Sequence, residues 1–97
     1  MEFELNNDKL SELCADFKAL GDEGRLKIIL CLLGGRQTVN AISEIVGLSQ
    51  SATSHQLRIL KDAKILKCER IGNANYYYLS DEHVKTLILT AIEHLGC

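Results

Sequence analysis

No proline and no tryptophan occur in this chain of 97 residues. Without proline no helix interior is forced to break, which suits long uninterrupted helices. No apolar run approaches the roughly 20 residues of a membrane span, so no membrane partner is expected. The opening stretch "MEFELNNDKL" is acidic and polar, unlike a signal peptide, and a cytoplasmic location follows. The four cysteines, Cys14, Cys31, Cys68 and Cys97, include no C-x-x-C pair and are expected as reduced thiols. A surplus of positive charge is also missing, with a net charge of −2. The local balance differs: five basic residues (Arg58, Lys61, Lys64, Lys67, Arg70) stand against Asp62 and Glu69 between positions 58 and 70. A DNA-binding protein needs one basic face rather than a basic whole.

What is present reads as one domain, residues 1–97. A chain this short buries only about 60–65% of its unfolded surface, so a partner subunit is expected. Residues 8–20 set Leu10, Leu13, Cys14, Phe17 and Leu20 at helical spacing. Gly21 ends that helix and Asp22 can cap the next. The run from Leu26 to Leu33 predicts a helix buried on most sides, stopped by Gly34 and Gly35. A short helix over 39–46 offers Val39, Ile42, Ile45 and Val46 to a core. Gly47 breaks it, and Ser49 is a good cap for another helix over 50–63. Two short helices around a glycine-containing turn are a helix-turn-helix signature.

The second of these helices has a split surface. Thr53, Leu57 and Leu60 can pack inward, whereas Gln50, Ser51, Ser54, His55 and Arg58 are polar. Next come "ILKCERI", which alternates, "GNAN", a turn, and "YYYLS", rich in strand formers; together they predict a β-hairpin. The expected fold is therefore mostly α with a β-hairpin (α+β), a winged helix-turn-helix with an extra helix at each end.

The stretches "ALGDEGRLKIILCLL", "SQSATSHQLRILKDAKIL", "YYYLSDEHV" and "AIEHL" resemble the ArsR/SmtB family of bacterial transcriptional repressors across roughly residues 8–95. "SQSATSHQLRIL" and "DEHV" look most like its zinc-responsive CzrA type. The resemblance implies a homodimer that binds double-stranded operator DNA and lets go when an inducer binds. Carried onto this chain, it makes Gln50, Ser51, Ser54, His55 and Arg58 groove contacts. Lys61, Lys64 and Arg70 become phosphate contacts, with Asn73 and Asn75 contributing from the wing. The chain departs from the family where Asp-Pro-Thr-Arg is common and "DEGR" stands here. It also lacks the basic residues common at the wing tip, which predicts hydrogen bonds there and a shallower salt dependence.

The stretch "SDEHVKTLILTAIEHLGC" carries four side chains able to bind a metal: Asp81, His83, His94 and Cys97. On a helix over 81–95, Val84, Leu87, Ile88, Ala91 and Leu95 form an apolar stripe. His83 and His94 point within roughly 20° of each other but lie about 16 Å apart along the axis. One helix cannot close such a site, since zinc ligands stand about 2.0–2.3 Å from the ion. An antiparallel pair can: Asp81 and His83 of one copy meet His94 and Cys97 of the other, and two-fold symmetry makes two sites. Zn(II) is the natural ion for that mixed set. The resemblance supports the geometry, since zinc-responsive members use Asp-x-His at the start of this helix and a His near its end. The family's other metal site needs a Cys-x-Cys that "TVNAISEIVG" lacks.

Two further readings stay open. Persulfide-responsive members of the family resemble this chain in one cysteine within an "ILCLL"-like run and one at the end of the last helix. Cys31 and Cys97 match that pattern. A non-sensing winged helix that binds protein, or a zinc enzyme, is the other; a ligand set split across a dimer seam offers little of the cleft that a catalytic zinc requires, and no enzyme is expected.

Overall fold

The computed structural model describes residues 3–96. Its elements run α1 (Asn7–Leu20), α2 (Glu23–Leu32), β1 (Gln37–Thr38), α3 (Val39–Val46), α4 (Gln50–Asp62), β2 (Leu66–Ile71), β3 (Ala74–Leu79) and α5 (Glu82–His94). Local chemistry sets most of the boundaries. Asp22 caps α2 by accepting from the Arg25 N–H at 3.0 Å, and Ser49 caps α4 by accepting from Ala52 at 3.1 Å. Each satisfies a backbone donor that a helix start leaves orphaned. Gly47 ends α3 at φ +74°, and its N–H and that of Leu48 both turn back onto the Ser43 carbonyl.

The wing is a three-stranded antiparallel sheet in the order β1-β3-β2. Strand β1 has no counterpart in the sequence reading: it is two residues long, Gln37 and Thr38 pairing with Tyr77 and Tyr76, too short to show alternation. The wing turn is tighter than "GNAN" suggests. Ile71 pairs with Ala74, leaving only Gly72 and Asn73 between the strands. Gly72 takes φ +61°, as the first central position of a type II′ turn requires.

The core collects Ile28, Ile29 and Leu32 from α2, Ile42 from α3, Leu57 and Leu60 from α4, then Ile65, Leu66 and Ile88, with Ala19 closing one end. Thr53 is buried beside them. Ile45, expected in the core, is 61% exposed. On a 100° step it lies about 100° from Val46 and about 120° from Val39, outside the inward face that runs from Ile42 through Val46 and Val39 to Ser43, and Ser43 is buried instead. Helix α2 is not enclosed on most sides either, since Leu26 and Leu30, one turn apart, face solvent.

Helix α5 carries two apolar lines rather than one stripe. Ile88 is buried, flanked by half-buried Val84 and Ile92. Leu87, Ala91 and Leu95 run alongside them, exposed. Helix α1 is similar: Leu10, Leu13 and Phe17 are exposed, Phe17 by 55%. One protomer therefore presents uncovered apolar faces on both terminal helices, beyond what scattered surface residues explain.

Candidate DNA-reading face and metal half-site

Helix α4 divides as its sequence pattern predicts. Thr53, Leu57 and Leu60 are buried, and Gln50, Ser51, Ser54, His55, Arg58 and Lys61 are all exposed. Buried residues fix the helix against α3, so the polar face is presented as a rigid unit. The Gln50 amide nitrogen donates to Asn40 Oδ1 on the preceding helix. That bond leaves Gln50 one amide hydrogen and a carbonyl oxygen, the donor–acceptor pair that matches adenine in the major groove. Asn40 was absent from the sequence reading; ten residues away on another helix, it carries no periodic signal.

Lys64 turns from α4 into β2 at φ +62°, the only non-glycine residue with a positive φ among the described residues. Its N–H closes onto Lys61 O at 2.9 Å, and Ile65 N–H onto Leu60 O at 2.9 Å. This conformation costs an L-residue about 1–2 kcal/mol. Lys61, Lys64 and Lys67 line an open groove of about 380 Å³ with Cys68 and Tyr78. Lys67 thus stands beside two of the lysines expected to contact phosphate, and the basic run itself was the signal for it. Farther out, Arg70 lies opposite Asn75 on the hairpin and Asn73 sits in its turn, all exposed. The wing base is braced by Arg36, 3.0 Å from Glu69 and stacked over Tyr78.

The first turn of α5 gathers half of the expected metal site. Asp81 is the helix cap, its Oδ1 accepting from the Val84 N–H at 3.2 Å. The same oxygen stands 3.5 Å from His83 Nδ1, and the His83 side chain is 98% exposed. The Val84 hydrogen bond holds the Asp81 carboxyl below the usual carboxylate range; desolvation opposes it, and the His83 N–H and ring add to the lowering. Glu12 and Asp16 of α1 line the same cleft of about 310 Å³ as Asp81 and His83; sequence reasoning missed both. His94 is exposed at the far end of α5.

Among the described residues, no three metal-binding side chains converge within one protomer. The helix length alone separates His83 from His94 by about 16 Å. Cys97 lies outside the described residues. The donor types fit Zn(II) if two α5 helices meet head to tail: a carboxylate and an imidazole from one end, an imidazole from the other. Cys31 is half-buried against the core, and burial pushes its thiol pKa up, away from the thiolate that redox chemistry needs.

Known proteins agree with this architecture. The sequence profile of the bacterial regulatory protein, arsR family, matches residues 22–67. A transcriptional repressor SmtB homolog of Synechocystis is 35% identical over 88 residues, 91% of this chain and 67% of that protein. A cadmium resistance transcriptional regulatory protein CadC homolog of Staphylococcus aureus is 43% identical over 79 residues, 80% of this chain and 65% of that protein. The chain thus spans about two thirds of the length of these relatives. The homodimeric winged helix-turn-helix DNA-binding domain of Mb0332 from Mycobacterium bovis superimposes with a TM-score of 0.88 at 26% identity, covering 99% of this chain and 91% of that one.

Proposed function

The chain belongs to the ArsR family of bacterial regulatory proteins, DNA-binding repressors and not enzymes, and on that premise we propose that it senses Zn(II) at a site shared between two α5 helices. The protein works as a homodimer on operator DNA, as the winged-helix neighbours indicate, and we place that work in the cytoplasm. Asp81 and His83 of one subunit meet His94 and Cys97 of the other. The observation that carries the reading is the Asp81–His83 pair, 3.5 Å apart, at the start of a helix whose exposed line Leu87, Ala91 and Leu95 needs a partner.

The residues divide the work. Asp81 uses one oxygen to hold the helix start and keeps the other for a cation. His83 is fully available, and the depressed Asp81 pKa keeps its carboxylate charged beside the imidazole. Bound Zn(II) supplies a fixed cross-link between the helices. That cross-link holds the two recognition helices at a spacing unsuited to successive major grooves. A typical allosteric coupling of about 1–3 kcal/mol weakens DNA binding about 5–150-fold.

The test is fluorescence anisotropy of the reduced, metal-free protein on duplex DNA that it has itself selected from random sequence, with Zn(II) added stepwise. Release at one zinc per subunit is expected, and His83→Ala should abolish the response while sparing apo affinity. If His83→Ala loses DNA binding without metal, the histidine is structural and the reading fails. Silence toward zinc with release by persulfide would move the sensor to Cys31 and Cys97.

A further inference from the structure

Arg25 makes the most extensive side-chain hydrogen bonding among the described residues, and none of it faces DNA or the metal half-site. Its Nε donates to Ala19 O at 2.7 Å and its Nη2 to Lys18 O at 3.3 Å. These are carbonyls at the C-terminus of α1, where a cation complements the helix dipole. Its Nη1 donates to Gln56 Oε1 at 3.1 Å, in the middle of α4. The other end of the Gln56 amide donates to Asp22 Oδ2 at 3.5 Å, and the same oxygen caps α2. The Arg25 side chain is only 18% exposed, with Asp22 4.0 Å away as its counter-charge. A guanidinium so placed presents donors in a fixed fork, a geometry that an ammonium cannot copy.

Gly24 makes the room. A Cβ there would come within 3.3 Å of Asp22 Oδ2, which would have to give by a few tenths of an ångström, and would stand 3.4 Å from Gln56 Nε2, at the edge of ordinary contact. The "DEGR" departure thus coincides with the point where the Gln56 amide reaches Asp22.

Gln56 lies about 160° around α4 from Arg58, opposite the reading face. It cannot touch a base. Yet it is the point at which the recognition helix is fastened to the junction of α1 and α2, and α1 carries the uncovered face of Leu10, Leu13 and Phe17. A dimer reads two half-sites only if both recognition helices hold the right angle to the dimer seam.

We propose that Arg25 and Gln56 are positioning residues for operator recognition: together with Asp22 they latch the reading helix to α1, whose uncovered face serves the dimer seam, and so set specific DNA affinity without contacting DNA.

The full-length dimer is titrated against its selected duplex and against a scrambled duplex of equal length, with mass and thermal melting checked in parallel. Gln56→Leu and Arg25→Lys should each lower affinity for the selected site about 5–10-fold, leaving scrambled affinity and dimer mass unchanged. The double variant should be no weaker than the weaker single, because both remove one connection. Gln56→Glu sets a second carboxylate beside Asp22 and should cost a similar factor. Adding Asp22→Asn, which still caps α2 and can donate to the new carboxylate, should restore binding. Folded single variants with parental affinity for the selected site would overturn the proposal, as would additive losses in the double variant. If Gln56→Leu does not fold, the Gln56→Glu and Asp22→Asn pair decides: loss and recovery support the latch, and loss without recovery overturns it.

Discussion

Asp81 Oδ1 lies 3.5 Å from His83 Nδ1 while it accepts the Val84 N–H at 3.2 Å. One carboxylate therefore serves the helix start and the candidate metal site. The two roles separate by substitution. Asp81→Asn keeps a capping oxygen and loses the charge, so it should melt somewhat below the parent at neutral pH while zinc affinity falls sharply. Asp81→Ala loses both and should melt below Asp81→Asn. The depressed carboxyl pKa gives the sign of the acid response: its stabilisation is present above the unfolded pKa of about 4 and is lost as pH falls through the lower folded value. Parent and Asp81→Asn melting curves should converge in acid, and equal spacing at every pH would refute the charge-assisted cap.

Lys64 holds a backbone conformation suited to glycine. Lys64→Gly should raise stability by up to about 1 kcal/mol. It should also weaken binding to every DNA sequence alike and reduce the salt slope by about 1. Calorimetry and anisotropy at several salt concentrations check both halves. Unchanged DNA affinity would make the lysine a bystander in a strained turn.

Asn40 and Gln50 share one hydrogen bond across the helix-turn-helix. Selection from random DNA should therefore show Asn40→Ala and Gln50→Ala relaxing preference at the same base position, by about 1–3 kcal/mol of discrimination for the direct contact and less for its support. Different positions, or an unchanged preference for Gln50→Ala, would remove the pair from the reading set.

The exposed line on α5 and the exposed face of α1 should form the seam between subunits. Leu87→Glu places a charge there without touching the buried Ile88. Sedimentation should show monomers at concentrations where the parent is a dimer, and operator affinity should fall with dimerisation. A dimeric Leu87→Glu would place the seam elsewhere.

Much of this architecture was legible because its signals are local. Asp22 and Ser49 as caps, Gly47 as a stop and the inward set Thr53, Leu57 and Leu60 each rest on residues within one or two turns. Ile45, Leu26 and Leu30 were misjudged for a shared reason. Apolar periodicity identifies a face and says nothing about whether that face meets its own core, a second copy or water. The division of α5 into Val84–Ile88–Ile92 and Leu87–Ala91–Leu95 was hidden by the same ambiguity. Strand β1 was too short to leave a pattern. The Arg25–Gln56 bond spans 31 positions, a separation over which sequence spacing carries no geometry. The Asp81–His83 pair was readable as Asp-x-His at a helix start; that Glu12 and Asp16 line the same cleft needed the fold.

The two lines on α5 have a consequence for dosage. The inner line secures the helix to its own protomer through little more than Ile88, Val84 and Ile92, so covering the outer line also steadies the helix that carries His83 and His94. Folding of that helix, pairing and the proposed effector capture then draw on one mass-action equilibrium. Below the dissociation constant of the dimer, the active species scales with the square of protomer abundance. A cell that halves its supply of this protein loses more than half of its occupied operators, and relieves the promoter before any inducer arrives.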